Sequence, residues 1–364
     1  MFQWTQKIEQ FVEKYFHIYE RYVPTAALIW GLLWDSLTLH RPDSLFSNAT
    51  VAGYLALVAC AIIVLNVRRA RLGHEPSLIL LAFIQFAFGN LTSALLVLYV
   101  KSGTFVGSAI FIGVLATLLI GNEFIRDRYR KIRVLVGIWY GLLLAYCIII
   151  VPILLGQIGD TIFLLSLLLS LVMVSIFLAA LYAIASRAML EQLFQTIGYV
   201  GAIAILFTIF YFSGVIPPAP LMPRQIGVYH SVTRTAAGDY EATYEEPHWY
   251  EFFADTARTY TLVGDSKKAY CASSVFAPAN LETPIFHRWE YFDAQQNDWV
   301  SVAHIPFSIR GGREKGFRGY SEISVLTPGK WRCNVETERG ALIGRFAFTV
   351  VRALDAPPLS QTTF

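Results

Sequence analysis

Seven long apolar runs fill the first 217 residues and end at a proline-rich knot, Ile216 to Pro220, after which the chain turns polar and alternating. Hydrocarbon offers backbone amides no partner, so a segment that crosses it must be helical or belong to a closed barrel. The runs commit the first part of the chain to a helical bundle and leave the rest as a soluble module. Composition agrees, with 55% of residues hydrophobic and only 15% charged, an apolar share above that of ordinary soluble domains. Residues 1–217 hold 14 Lys and Arg against 10 Asp and Glu, whereas residues 218–364 hold 15 against 16. The excess of positive charge thus lies in the membrane half, and no nucleic-acid footprint is expected.

The spans read as 22–39, 49–67, 77–100, 105–121, 134–155, 161–185 and 194–217, each near the roughly 20 residues that a crossing helix needs. Seven is the expected number, with the first span interrupted by Asp35 and the fourth short. Lys and Arg stay in cytoplasmic loops, which sets orientation. Residues 1–21 carry Lys7, Lys14 and Arg21, and the following loops carry Arg41 alone, then Arg68, Arg69 and Arg71, then Lys101 alone. Next come Arg126, Arg128, Arg130, Lys131 and Arg133 in one loop, none in the loop after it, and Arg187 in the last. This alternation places the N-terminus inside. Seven crossings then put the C-terminal module outside the cytoplasm, which for a Gram-negative inner membrane is the periplasm.

The first 21 residues contain six charges and no uninterrupted apolar core, so no cleavable signal is expected. Ile8, Phe11, Val12, Tyr15 and Tyr19 recur at helical spacing while Lys7, Glu9, Glu13, Lys14 and Glu20 occupy other faces, the pattern of an interfacial amphipathic helix. The domain reading is therefore 1–21 interfacial helix, 22–217 bundle, 218–267 linker and mixed segment, 268–352 small β-sandwich or Ig-like module, and 353–364 disordered tail.

From Lys268 onward the period is two. Strands are expected over 268–276, 286–292, 299–309, 320–326, 330–336 and 341–351, with Thr327-Pro328-Gly329 and Arg339-Gly340 as turns. In the fifth of these Trp331, Cys333 and Val335 share one face. Pro306 marks its strand as an edge or a bulge. Upstream, 227–244 suggests a hairpin about Ala237-Gly238-Asp239, and Pro247 opens a short helix with Trp249, Phe252 and Phe253 on its apolar side, set against the sheet or resting on the membrane surface.

Two of the four cysteines, Cys60 and Cys147, lie in apolar spans, and Cys271 and Cys333 are the pair in the module. A pair suits an oxidising compartment. Bridged, it closes a loop that the chain-entropy treatment values at roughly 4 kcal/mol; two unpaired core thiols are the alternative.

The series Phe286-His287-Arg288-Trp289, then Gly316-Phe317-Arg318-Gly319-Tyr320-Ser321, then Gly329-Lys330-Trp331-Arg332, closed by the stretch from Gly340 to Phe348, resembles the domain-of-unknown-function family numbered 2914. The resemblance covers roughly residues 273–351. It implies a module that often ends membrane-embedded bacterial proteins, and it implies no activity.

Candidate chemistry is sparse. Asp35 is the one carboxylate well within a span, where a charge costs about 2.5 to 3.5 kcal/mol or more at mid-bilayer. It lies four residues before Leu39, only about 6 Å from the end of its helix at 1.5 Å per residue. Hydration at the interface and a proton or ligand role both remain open. Gln85, Asn90, Asn66 and Asn122 are read as amides that bond neighbouring helices, and Glu123 and Asp127 as salt-bridge partners in the basic loop that meets anionic lipid.

The loop from Arg310 to Ser321, with Arg310, Arg313, Arg318 and Ser321 as candidate ligand-binding residues, joins arginine forks to converging glycine amides. It lacks the G-K-[ST] ending of a P-loop, and the alternative is a glycine-rich hairpin connection with solvated arginines. His230, His248, His287 and His304 are too far apart in sequence to form a metal motif. No nucleophile elbow or catalytic cysteine signature occurs. No catalytic residue, metal or cofactor is expected.

The functional expectation is a binding or scaffolding module displayed on a seven-span anchor, with membrane lipids around it and an envelope protein, lipid headgroup or glycan as partner. The alternative is a transporter or lipid-processing enzyme that works through the bundle and Asp35. The residues imply no oligomeric state.

Overall fold

The computed structural model describes residues 29–39, 41–72, 78–102, 105–122, 131–183, 192–236, 239–249, 251, 256–279, 281–311 and 316–363. The expected interfacial helix, Arg187, Arg313, Glu123, Asp127, Phe252, Phe253 and Arg126, Arg128 and Arg130 of the basic cluster lie outside them. Two compact units make up the chain: Met1–Leu98, Ile112–Ile148 and Leu164–Thr208 form one, and Tyr99–Phe111, Ile149–Phe163 and Ile209–Phe364 the other.

The helical segments are α1 (29–38), α2 (Leu45–Leu72), α3 (Leu78–Lys101), α4 (Phe105–Gly121), α5 (Ile132–Leu155), α6 (Asp160–Ala183) and α7 (Leu193–Phe212). Of these, α2, α3, α5, α6 and α7 hold stretches of 19 to 24 residues long and apolar enough to cross a membrane, and α4 is a shorter apolar helix. Their outward faces remain greasy: Ile176, Phe194 and Ile205 are 66%, 83% and 63% exposed. Such surface is costly in water, at about 25 cal/mol per Å², and is matched by lipid.

Polar side chains in the first unit serve contacts between helices. Asn66 Nδ2 donates to the Leu181 carbonyl at 2.9 Å, joining α2 to α6. Asn122 Nδ2 donates to the Gln85 carbonyl at 2.9 Å while Gln85 Nε2 donates to the Asn122 carbonyl at 3.2 Å, an exchange that closes the end of α4 on α3. Asn90 instead donates to Phe86 of its own helix. In hydrocarbon such amide bonds guide association because apolar side chains alone give helices little preference for one another over lipid.

Helix α7 stops at Phe212, short of the expected end at Pro217. Gly214 takes a φ of 71°, and the Val215 N–H reaches back to the Phe210 carbonyl at 2.9 Å. This is a Schellman closure, which needs a left-handed residue that glycine supplies without strain.

The second unit carries β1 (Met222–Tyr229), β2 (Ser231–Arg234), β3 (Tyr240–Glu245), β4 (Thr259–Val263), β5 (Ala269–Phe276), β6 (Glu282–Asp293), β7 (Asp298–Arg310), β8 (Phe317–Ile323), β9 (Gly329–Thr337), β10 (Leu342–Ala353) and β11 (Leu359–Thr363). They form three sheets, β1-β5-β8, β4-β10-β9-β6-β7 and β11-β3-β2, where the sequence reading expected one small sandwich. The strand with Pro306, β7, is an edge, and the irregularity in its pairing with β6 falls at Trp289/Glu290.

The first two sheets share a core. Val228, Cys271 and Ile323 from one sheet are clustered with Trp289, Trp331, Cys333, Phe346 and Phe348 from the other, all buried. The stretch 353–364, expected to be disordered, contains β11, which pairs antiparallel with β3 from Leu359 opposite Glu245 to Thr363 opposite Glu241. Backbone bonds along an edge hold it rather than apolar burial, so hydropathy gives no sign of it. Trp249, expected on the apolar side of a short helix against the sheet or at the membrane surface, is 82% exposed, so it is not packed on the sheet.

In this same unit Arg339, in the turn between β9 and β10, reaches the helix ends. Its Nη1 lies 2.7 Å from Asp160 Oδ1 in the first turn of α6, and its guanidinium lies over the rings of Tyr211 and Phe212 in the last turn of α7 at 4.6 and 5.0 Å. Tyr211 in turn stacks on Phe163 at 3.8 Å.

Gly311, just past β7, donates its N–H to the Leu281 carbonyl at 2.8 Å. A Cβ there would lie 1.6 Å from the Pro278 carbonyl oxygen, a backbone atom. Gly311→Ala is therefore expected to lower stability by about 1–3 kcal/mol, the usual cost of overpacking. A drop in the urea midpoint of tryptophan fluorescence at unchanged slope would register it.

Candidate functional site

Alternation along β6 sends His287 and Trp289 into the space between the two facing sheets and Arg288 and Glu290 to the other side. Opposite them, Cys271 pairs with Ser321 across β5 and β8, and Ser273 with Gly319. The result is a buried polar cluster. His287 Nε2 lies 2.7 Å from Ser273 Oγ and its Nδ1 lies 2.9 Å from Ser321 Oγ. Trp289 Nε1 donates to the same Ser321 Oγ at 3.0 Å.

A neutral ring with its proton on Nε2 satisfies the imidazole: Nε2–H donates to Ser273 Oγ, and the Ser321 hydroxyl donates to Nδ1 while accepting from Trp289. Burial holds His287 well below the ordinary imidazole range, at about 3, because a charge in this interior has no partner. Beside the ring, Cys271 of β5 and Cys333 of β9 are joined by a disulfide with their Cα atoms 6.5 Å apart. The bridge and the histidine cluster both link one sheet to the other.

The far face of the five-stranded sheet is charged. Lys330, Arg332, Asn334 and Glu336 alternate along β9 with the inward Trp331, Cys333 and Val335. Arg332 binds Glu290, Asn334 Nδ2 donates to Glu290 Oε2 at 2.6 Å, and Arg345 Nε donates to Asn334 Oδ1 at 2.7 Å. Arg288 Nη2 and His304 Nε2 lie 2.6 and 3.0 Å from Glu336 Oε1.

Glu290 and Glu336 are buried beneath these cations, whereas the Arg288 and His304 side chains remain 35% and 42% exposed. Burial raises the Glu336 carboxyl pKa against the opposing pull of Arg288 and then His304. Aromatic rings interleave: the Arg332 guanidinium lies 4.1 Å from the Trp299 ring centre, and Phe286 stacks on His304 at 4.4 Å.

Of the residues singled out in the sequence, the structure separates what adjacency had joined. Ser321 is 3% exposed and belongs to the interior cluster, not to the arginine loop. Arg318 pairs with Asp239 at 2.7 Å near the β2–β3 hairpin. Arg310 pairs with Glu282 at 3.0 Å, both well exposed, and Arg313 lies outside the described residues.

Asp35 is only 6% exposed, and its Oδ2 has no hydrogen-bond partner among the described residues. The charged row on β6, β9 and β10 was not singled out. Its signal was present in the alternation of Lys330, Arg332, Asn334 and Glu336 with the apolar face already recognised.

Residues 282–350 match the family described as "Protein of unknown function (DUF2914)". The match spans β6 through most of β10 and so contains His287, Ser321, Cys333 and the charged face. No curated protein matches the chain.

Among solved structures, a beta-glucosidase from Listeria innocua, determined in complex with isofagomine and with gluconolactone, is similar at 11% identity over 36% of this chain, with a TM-score of 0.21. The chain spans 16% of that enzyme's length. The Pseudomonas fluorescens alkylpurine DNA glycosylase AlkC, bound to DNA containing an abasic site analog, is similar at 10% identity over 86% of this chain and 99% of its own, also with a TM-score of 0.21. Scores this low carry no argument.

The buried histidine makes a signed pH prediction. The folded ring stays neutral down to about 3, whereas an unfolded ring takes a proton near 6.5. Between those values the unfolded chain binds more protons, so this group's contribution to stability is lost as pH falls, by up to about 1 kcal/mol per pH unit. Urea titrations of the full chain in detergent are expected to show His287→Gln less stable near pH 7, by about 1–3 kcal/mol from unpaired hydroxyls, with the loss between pH 6.5 and 3 correspondingly shallower than in the wild type.

Proposed function

We propose that this chain is a multi-span membrane protein that displays its β-rich module outside the cytoplasm as a binding or scaffolding surface for an anionic envelope component. The alternation of Lys and Arg between loops supports the placement. The charged face carries the binding reading. Arg288, Lys330, Arg332 and Arg345 stand there against Glu290 and Glu336, so cations outnumber carboxylates. Beneath them Glu336 holds Arg288, Glu290 holds Arg332, and the Asn334 amide oxygen holds Arg345.

Guanidinium forks so held match phosphate or carboxylate oxygens at little entropic cost. The stacked Trp299 and Phe286 add flat apolar surface beside them. The shared ligand chemistry is an acidic group on a lipid headgroup or glycan. Arg310 and Arg318, each with a carboxylate partner, are placed in this reading as lesser contributors.

A second reading, transport or lipid processing through the bundle, is favoured by one observation, the buried Oδ2 of Asp35, which has no hydrogen-bond partner among the described residues. Substitutions separate the two. With the full chain in neutral-lipid nanodiscs and phosphatidylglycerol vesicles or a soluble uronic-acid glycan as probe, Arg288→Ala combined with Arg345→Ala is expected to weaken binding about tenfold or more, since bonds to charged groups contribute about 1.5–3 kcal/mol each. Asp35→Asn should leave that binding unchanged. Binding that survives the double substitution, or that needs Asp35, contradicts the surface reading.

A further inference from the structure

We propose that the Cys271–Cys333 bridge is one of two states of its site, the other being a zinc centre held by Cys271, Cys333 and His287 once the bridge is reduced. Three strands deliver the ligands. Cys271 comes from β5, His287 from β6 and Cys333 from β9, and one donor atom from each lies within 4.8 Å of the others, all fully buried. Two thiolates and an imidazole are a donor set that Zn²⁺ accepts, at about 2.3 Å to sulfur and 2.0–2.1 Å to nitrogen.

Two thiolates on one tetrahedral ion stand about 3.8 Å apart by that geometry, a spacing reached from Cα atoms 6.5 Å apart by rotation about the Cα–Cβ bonds. Each ring nitrogen of the imidazole faces a serine hydroxyl and neither faces a carboxylate.

Both nitrogens are engaged by serine hydroxyls. When one nitrogen turns to the ion the other keeps its hydroxyl, the outer hydrogen bond that fixes ring orientation and tautomer in metal-binding histidines. The displaced hydroxyl or a water completes a fourth position.

The chemistry balances with an external dithiol as reductant. The dithiol gives up two electrons and two protons and becomes a disulfide, while the Cys271–Cys333 bond breaks to give two thiols. Binding of Zn²⁺ then expels both thiol protons and forms two metal–sulfur bonds and one metal–nitrogen bond. In the reverse direction an external disulfide accepts two electrons from the two thiolates and takes up two protons to become a dithiol, while the Cys271–Cys333 bond re-forms and the ion is released.

The test uses the full chain in detergent, with Cys60→Ser and Cys147→Ser to remove the bundle thiols. Reduction with dithiothreitol and anaerobic desalting precede titration with Co²⁺ as a spectroscopic stand-in. The expected result is one equivalent of tetrahedral Co²⁺, with thiolate charge-transfer absorption that Zn²⁺ displaces, none of it before reduction, and a higher unfolding midpoint for the loaded chain. Adding His287→Gln should weaken binding by at least about tenfold, the lower end of what loss of even an outer hydrogen-bond partner costs. The proposal is overturned if the reduced chain gives no tetrahedral bands, if it unfolds and Co²⁺ does not restore it, or if the bands survive Cys271→Ser with Cys333→Ser.

Discussion

Backbone amides that find no water must find each other, and that single requirement divides this chain. A helix that crosses hydrocarbon has to close its hydrogen bonds within itself, and α2, α3, α5, α6 and α7 are long and apolar enough to do so and carry exposed apolar side chains. Specific contact is then left to a few amides, such as the exchange between Gln85 and Asn122. In the second part the same requirement is met between strands. The chain can therefore afford short elements, charged faces and a core assembled from distant segments. Gly214 and the turn after α7 mark the change from one solution to the other.

The β-rich module depends on two links between its facing sheets. The Cys271–Cys333 bridge is covalent, and the His287–Ser273–Ser321–Trp289 cluster is a satisfied polar network beside it. Polar groups in an interior cost heavily unless each finds a partner. Here the serines, the ring and the indole accommodate one another, which fixes register and the distance between sheets more narrowly than interchangeable apolar side chains would. The stretch that matches the unknown-function family contains His287, Trp289, Ser321, Trp331 and Cys333. Much of that signature is thus interior architecture, and the outward charged row lies on the same strands with the opposite parity. At the other end of β9, Arg339 ties its turn to Asp160 and Tyr211 at the ends of α6 and α7.

The helices were legible because their apolar runs are long enough to cross a bilayer, and the strands from β5 to β10 because their period of two stands out. Others were not, for physical reasons. Strand β4 has only five residues, three of them in succession, Tyr260, Thr261 and Leu262, buried, so no alternation shows. Strand β1 has an irregular register at Pro223/Gln225, and β11 is held by its ladder to β3 with few apolar contacts. The site was half legible. Recognising Trp331, Cys333 and Val335 as one face fixes Lys330, Arg332, Asn334 and Glu336 on the other, whereas reading 310–321 as one binding loop joined residues that a strand sends apart. Arg318 and Ser321 are separated by an odd number along β8 and so point to opposite faces.

Parity of crossing is what turns this architecture into a function, because it decides whether the charged face meets the envelope or the cytosol. A dual reporter of alkaline phosphatase and green fluorescent protein fused after Phe364, beyond the β11 ladder, tests it most directly. An active phosphatase and no fluorescence are expected, together with a fluorescent, phosphatase-negative fusion placed in the basic segment near Lys131. A fluorescent, phosphatase-inactive fusion at the C-terminus would contradict it.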